Sequence, residues 1–246
     1  MNGILNWIAN VVHADGTGGL NWHLHARQSL PRWQSTLQEI ERFLMELAIQ
    51  ERHLILIGGS AGWMMPTTWL AQFKQIDAYD IDPLAPWLFG KRHGSLLRTQ
   101  GVALQHHRLD ALTHLDDILR QHPGACVWFD NVLGQHRYRV RDEEKVEKTL
   151  KALHTQLAGR SWGSLHDVLS GPTDGRTPTT WRHERTQAQS LDGHFTQSLL
   201  RGVGASGVWQ DHQTEHVLPA NTKTVWIPWA FRPTHWHWLQ AGWINA

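Results

Sequence analysis

Gly58-Gly59-Ser60-Ala61-Gly62 follows directly on the apolar run Leu54-Ile55-Leu56-Ile57. Glycines at Gly58, Gly59 and Gly62 let main-chain amides approach a ligand with no Cβ in the way. About twenty residues later, Ile76-Asp77-Ala78-Tyr79-Asp80-Ile81-Asp82-Pro83 is a second apolar run ending in acid, at the spacing of a strand that carries a ribose-binding carboxylate. A carboxylate at Asp80 accepts hydrogen bonds from both ribose hydroxyls and repels a phosphorylated ribose. The plainer role for an acid there is to cap the segment beginning at Pro83, which Asp82 suits better. Together the two stretches read as half of a nucleotide-binding α/β sheet.

The other residue types with chemical potential are less organised. Among 18 histidines, His23/His25, His106/His107, His212/His216 and His235/His237 form close pairs. An i, i+2 pair on a strand shares a face, but no third ligand is marked beside any pair, so no metal site is expected. The single cysteine, Cys126, sits in Ala125-Cys126-Val127-Trp128-Phe129 and reads as buried core rather than nucleophile. Trp22, Trp63, Trp226, Trp229, Trp236 and Trp238 offer faces for a cationic or aromatic substrate, although core packing explains most of them equally well.

The elements that must position these residues follow from periodicity. Leu20 to His25 alternates apolar and polar, as a short strand or ordered arm does. From Pro31, the residues Trp33, Leu37, Ile40, Phe43, Leu44 and Leu47 fall at helical spacing, predicting an amphipathic helix with a prolyl start that ends near Gln50. Strands are then predicted at Leu54–Ile57, Ile76–Ile81, Val102–Leu109, Ala125–Phe129 and Trp162–Val168. Helices lie between them: Trp63–Phe73, with Pro66 in its first turn or delaying its start, Leu84–His93, a segment with Leu115, Ile118 and Leu119, and a charged helix over Arg137–Lys151. This alternation implies a parallel sheet with right-handed crossovers. Residues 170–192 are rich in Gly, Pro, Thr and Arg and read as a surface loop or lid. Strand-like runs around Val208-Trp209, at His216–Leu218, at Thr224–Phe231 and from His235 to Trp243 have no clear helices between them, which suggests an antiparallel addition at the sheet edge.

Composition bounds the function. With 246 residues the chain can bury a sizeable core, and 23 basic against 22 acidic residues steer it toward neither nucleic acid nor anionic lipid. No signal peptide or membrane span is evident, and one cysteine fits a reducing compartment, so a cytoplasmic protein is expected. Of 15 tryptophans, six fall in the last forty residues, which points to heavy aromatic packing there.

From about residue 50 onward, the order of features resembles the class I S-adenosylmethionine-dependent methyltransferases. Their loop follows the pattern acid, apolar, Gly-x-Gly-x-Gly. Gly58 and Gly62 match its outer glycines, Ser60 replaces the middle one, and Leu56 stands where the acid usually precedes it. The resemblance implies a Rossmann-like α/β fold: a seven-stranded, mostly parallel sheet with helices on both faces and a C-terminal antiparallel hairpin. It would occupy residues 51–246, with residues 1–50 as a helical extension or substrate cap. It further implies that Gly58, Gly59, Ser60, Gly62, Asp80 and Ile81 hold S-adenosylmethionine. Asp110 with Ala111 matches the position whose acid meets the adenine amino group, and a cap before Leu112 is an equal reading. Asp130 or Asn131, where the fourth strand opens, would bind the methionine portion or orient an acceptor.

Methyl transfer from this cofactor is an in-line displacement, so the protein aligns the nucleophile and removes its proton when needed. His166 and Asp167, at the end of the fifth strand, stand where such a base would be, with capping or ordering of the next loop as the structural alternative. The segment Phe129-Asp130-Asn131-Val132 lacks the Asp/Asn-Pro-Pro-aromatic motif of amino-group DNA methyltransferases. The expectation is therefore a methyltransferase for a small molecule or protein side chain. The alternatives are a non-catalytic binding module of the same fold and an aminopropyltransferase-like enzyme. A dinucleotide oxidoreductase would place Gly at Ser60 and Ala or Gly at Trp63.

Overall fold

The computed structural model describes residues 18–140, 143–187, 192–214 and 216–246. The chain divides into two compact units, the first taking in the chain up to Pro31 with Ala48–Asp130, the second Arg32–Leu47 with Asn131–Ala246. Helix α1 (Leu20–Glu46) runs through the sequence boundary at Pro31. The short strand or ordered arm expected at Leu20–His25 is therefore the start of this helix, and Pro31 lies inside the helix rather than at its start. Trp22, His23, Ala26, Ser29, Trp33, Thr36, Ile40, Phe43 and Leu44 are buried at three- and four-residue spacing. That stripe extends back through the six-residue alternation, too short by itself to separate the two periods.

In the first unit β1 (His53–Ile57), β2 (Gln75–Asp80), β3 (Ala103–Arg108) and β4 (Cys126–Asp130) pair in parallel in the order β3-β2-β1-β4. Leu54–Ile57 and all of β4 are buried, as continuous apolar runs in a parallel sheet must be. The connections carry α2 (Thr67–Leu70), α3 (Ala85–Thr99) and α4 (Leu115–Gln121). Helix α2 is shorter than the predicted Trp63–Phe73 because Pro66 stays extended at its N-cap and Ala71 closes it. Cys126 is buried, and its thiol is pushed up to about 12 by desolvation and by Glu51, which makes it an inert core residue.

The second unit holds α5 (Val132–Arg139), α6 (Glu143–Gln156), β5 (Trp162–Pro172), β6 (His183–Thr186), α7 (Gly193–Gly202), β7 (Gln210–Asp211), β8 (Lys223–Arg232) and β9 (His235–Ile244). Its strands pair antiparallel in the order β5-β9-β8-β6, with β7 on β5. The C-terminal hairpin expected from the family resemblance is β8–β9. Nine strands are described where seven are expected; β6 and β7 are the short additions, drawn from segments read as loop or as strand-like. The charged helix expected over Arg137–Lys151 is two helices, and residues 216–218 form turns rather than a strand. Strand β5 runs on to Pro172 because Leu169–Pro172 pair with Trp238–His235, a tertiary contact that overrides turn-forming composition.

Strand β6 covers β8 only from Lys223 to Trp226. Beyond it, α1 supplies the missing donors. Thr36 Oγ1 donates to Pro228 O (2.8 Å), Trp33 Nε1 and Arg32 Nε donate to Ala230 O (3.0 and 2.9 Å), and Arg32 Nη2 donates to Phe231 O (3.0 Å). An open strand edge is thus closed by side chains of a helix. Among the described residues no helix is long and apolar enough to cross a membrane.

Candidate functional site

The carboxyl ends of three adjacent strands in the first unit stop level. Ile57 is in register with Tyr79 of β2 and Phe129 of β4, so Gly58, Asp80 and Asp130 leave the sheet side by side. The chain lays β2 and β3 to one side of β1 and β4 to the other. This edge is therefore the topological switch point, where open parallel sheets bind their ligands.

Asp80 organises the edge. Its Oδ2 accepts the Ser60 N–H at 2.7 Å and its Oδ1 the Asp82 N–H at 2.8 Å. Ser60 is held with φ +47°, a left-handed conformation that costs a residue with a Cβ about 1 kcal/mol. Gly58, at φ +76°, donates to Tyr79 O at 2.9 Å, joining the loop to the end of β2.

Two glycines of the loop have a reason other than ligand approach. A Cβ at Gly59 would lie 2.8 Å from Leu56 Cδ2, and one at Gly62 would lie 2.3 Å from His93 Nε2. The fully buried Leu56, in place of an acid, fills the space beneath Gly59. His93 donates from Nε2 to Gly62 O (3.2 Å) and accepts from Thr67 Oγ1 at Nδ1 (2.7 Å). Desolvation, with Arg92 adjacent, pushes its pKa down to about 4, so it is neutral.

Asp130 is buried, and its Oδ1 has no hydrogen-bond partner. Desolvation and the neighbouring Asp80 push its carboxyl up to about 8. Ser60 Oγ is likewise enclosed without a partner. Two orphaned polar atoms beside Asp80 are donors and acceptors that a bound ligand would satisfy. Ile81 lies just past β2, and its carbonyl accepts from Arg108 Nε at 3.4 Å. Asp110 follows β3, with its carbonyl receiving Thr113 Oγ1 at 2.9 Å, and Ala111 is buried.

One hydrogen-bonded linkage in this unit has no signature in the sequence. Trp63 Nε1 donates to His23 Nδ1 at 3.0 Å, which leaves the His23 proton on Nε2, where it bonds Asp82 Oδ2 at 2.7 Å. Asp82 also accepts from Gly19 N (3.1 Å) and Leu84 N (2.9 Å), so it caps the turn before α3 and anchors the beginning of α1. Burial alone would raise Asp82, but His23 and these amides hold it below the usual carboxylate range.

In the second unit, Asn131 and Asp167 form a reciprocal pair: Asn131 Nδ2 donates to Asp167 Oδ2 (3.0 Å) and Oδ1 accepts the Asp167 N–H (3.0 Å). Asn131 is left-handed (φ +55°), and its own N–H donates to Leu165 O at 2.7 Å. Asp167 Oδ1 accepts from His237 Nδ1 at 2.9 Å. Burial would raise Asp167, yet His237, His212 and Asn131 hold it below its ordinary range.

His166 takes part in a different chain. Its Nε2 donates to Gln240 Oε1 (3.2 Å), and its Nδ1 accepts from Ser164 Oγ (2.9 Å), while Gln240 Nε2 donates to Gln187 Oε1 (2.7 Å). Desolvation pushes His166 to about 4, and both its ring nitrogens are engaged inside the protein. The ring nitrogen left without a partner is instead that of His237. Its Nδ1 bonds Asp167, its Nε2 is enclosed without a partner, and its ring lies 5.0 Å from those of Trp229 and Phe231. Its only sequence signal was membership of the His235/His237 pair.

No family model and no curated protein sequence matches the chain. Solved structures similar to it include the N-methyltransferase NodS from Bradyrhizobium japonicum, with TM-score 0.46, 12% identity and coverage of 88% of this chain and 98% of that one. A SAM-dependent methyltransferase from Anabaena variabilis has TM-score 0.45 at 12% identity, covering 94% and 98%. Magnesium protoporphyrin IX methyltransferase from Synechocystis, with bound SAH, has TM-score 0.45 at 12% identity, covering 100% and 95%. The strand register and side-chain contacts described above stand independently of these likenesses.

Proposed function

We propose that this chain binds S-adenosylmethionine and transfers its methyl group to a small molecule or a protein side chain. The observation that carries the reading is the switch-point edge, where the Gly58–Gly62 loop, Asp80 and the orphaned Asp130 emerge in register. The residues there fit the cofactor. Asp80 stands at the carboxyl end of β2, where a ribose-binding carboxylate belongs, and it holds Ser60 in place. Asp130 is a buried acid whose unpartnered oxygen suits a cationic ammonium, and Asp110 with Ala111 is assigned to the adenine end. The cofactor supplies an electrophilic sulfonium methyl; the chain orients it and excludes water.

Within the second unit, Asp167 bonds His237 and Asn131 bonds Asp167, a network that offers His237 as a candidate base. Asp167 thereby moves from candidate base to positioning residue for His237, while His166, with both ring nitrogens engaged, belongs to a separate chain. The buried, high-pKa Cys126 fits a reducing environment, and the reading keeps a cytoplasmic enzyme.

Calorimetric titration with S-adenosylhomocysteine tests the proposal. Wild-type protein binds it, and Asp80→Ala weakens binding by about 100-fold, as expected for loss of charge-assisted hydrogen bonds together with the loop they hold. A folded wild-type protein that binds none would overturn the reading. A second reading, a non-catalytic binding module of this fold, is favoured by the fully buried Leu56 where the family has an acid. Cofactor binding without a methylated product across an acceptor screen would select it.

A further inference from the structure

Asp77 is out of place for its position. It lies on β2, an interior strand of a parallel sheet, where both faces call for apolar side chains, and it is 1% exposed. The register puts His53, Gln75, Asp77, Tyr79 and His107 on one face of the sheet, since His53 pairs with Gln75 and His107 with Tyr79. His53 Nε2 lies 2.7 Å from Asp77 Oδ2, and His107 Nε2 lies 2.7 Å from Asp77 Oδ1, with Gln75 Nε2 also 2.7 Å from Oδ2. His122, which follows α4, brings a third imidazole. Its ring lies 4.9 Å from that of His53, edge-on, and one donor atom each from His53, Asp77 and His122 fall within 4.8 Å of one another.

We propose that His53, Asp77 and His122 bind a zinc-class divalent cation. Two imidazoles and one carboxylate from three separate segments form the N/O donor set that zinc takes at sites with three protein ligands, which leave the fourth position to water. The surroundings are those of an outer shell that orients ligands. His107 and Gln75 hydrogen-bond the Asp77 carboxylate, and Tyr79 Oη lies 3.1 Å from His122 Nε2. His53 and His122 are half-buried, which gives an ion access from solvent.

Each imidazole coordinates as the neutral ring through a nitrogen lone pair, so a proton on the coordinating nitrogen moves to the other ring nitrogen or leaves to water. The site begins β1, whereas Gly58 leaves its other end, about 16 Å away at the rise of a strand. It is therefore separate from the switch-point edge, with a structural role in tying β1, β2 and the α4–β4 connection together. The other histidine pairs lack this convergence: among the described residues, this is the one group of three such side chains with the required spacing.

The test uses chelator-stripped full-length protein titrated with Zn2+ in calorimetry, with Co2+ absorption as a coordination readout. One Zn2+ per chain is expected, with a visible Co2+ band of the intensity a four-coordinate site gives. His53→Gln and His122→Gln sit at half-exposed positions. Each is expected to weaken Zn2+ binding at least about tenfold with an unchanged circular dichroism spectrum, while His25→Gln leaves binding unchanged. Wild-type affinity retained in the His53→Gln/His122→Gln double variant, or absence of stoichiometric binding by the wild type, would overturn the site.

Discussion

Asp130 ends β4 in the first unit and Asp167 lies within β5 of the second, and both carboxyls are buried. Their chemistry diverges because their neighbours do. Asp130 has an oxygen with no partner and a second acid close by, and its pKa is pushed up to about 8. Asp167 accepts from His237 and Asn131 and is held below its usual range. An incompletely satisfied buried acid signals a place for a ligand, whereas a satisfied one signals architecture or the positioning of another group.

Removing each acid sharpens the contrast. Asp167→Ala leaves His237 and Asn131 with buried, unanswered donors and is expected to cost about 3–5 kcal/mol. In a chain of this size that lowers Tm by about 6–20 °C in a thermal melt. A loss below about 1 kcal/mol would remove the distinction, since the network would then be dispensable.

Asp130→Asn is expected to act on pH dependence instead. A carboxyl with a folded pKa near 8 binds a proton that the unfolded chain releases from about pH 4 upward. It therefore erodes stability as pH rises from 4 to 8, and the Asn variant loses that slope in denaturant titrations. In the same window, S-adenosylhomocysteine affinity of the wild type is expected to climb toward tenfold per pH unit up to about pH 8, because the ligand ammonium favours the ionised acid. The variant should show a flat profile; an identical slope in both proteins would detach Asp130 from the ligand.

His93 and His166 extend the comparison to bases, one in each unit. Both are pushed down to about 4, so between pH 6.5 and 4 only the unfolded chain takes up their protons. Stability is therefore full above pH 6.5 and lost toward pH 4. Each contributes up to about 1.4 kcal/mol per pH unit, which His93→Gln or His166→Gln should remove from the measured slope.

The smallest effect belongs to Ser60→Gly. Relief of the left-handed strain offsets the added flexibility of the unfolded chain, so stability should change by less than about 1 kcal/mol. A larger loss would mean that Ser60 Oγ has a structural partner rather than a ligand to meet.

Much of the first unit was legible in the residues. Leu54–Ile57 and Ala125–Phe129 are apolar over a strand length, and buried parallel strands demand that; Asp80 followed from its spacing after the glycine loop, whereas Asp130 came from the family resemblance. The reading of α1 failed at Leu20–His25, where six alternating residues fit two periods and only burial of Trp22, Ala26 and Ser29 separates them. Gly59 and Gly62 were recognised for ligand approach, but the neighbours that require them, Leu56 and His93, lie across a turn or 31 residues away.

The sequence by itself determined the alternation of strands and helices, the loop and the acids at the strand ends, because these depend on local periodicity and on turns of a few residues. Only the tertiary structure decided what each buried polar group answers to. Asp167 meets His237 across 70 residues, His23 meets Asp82 across 59, and Asp77 gathers His53 and His107 from flanking strands. Such pairings cost desolvation that only specific distant partners repay, and no local pattern encodes which partner that is.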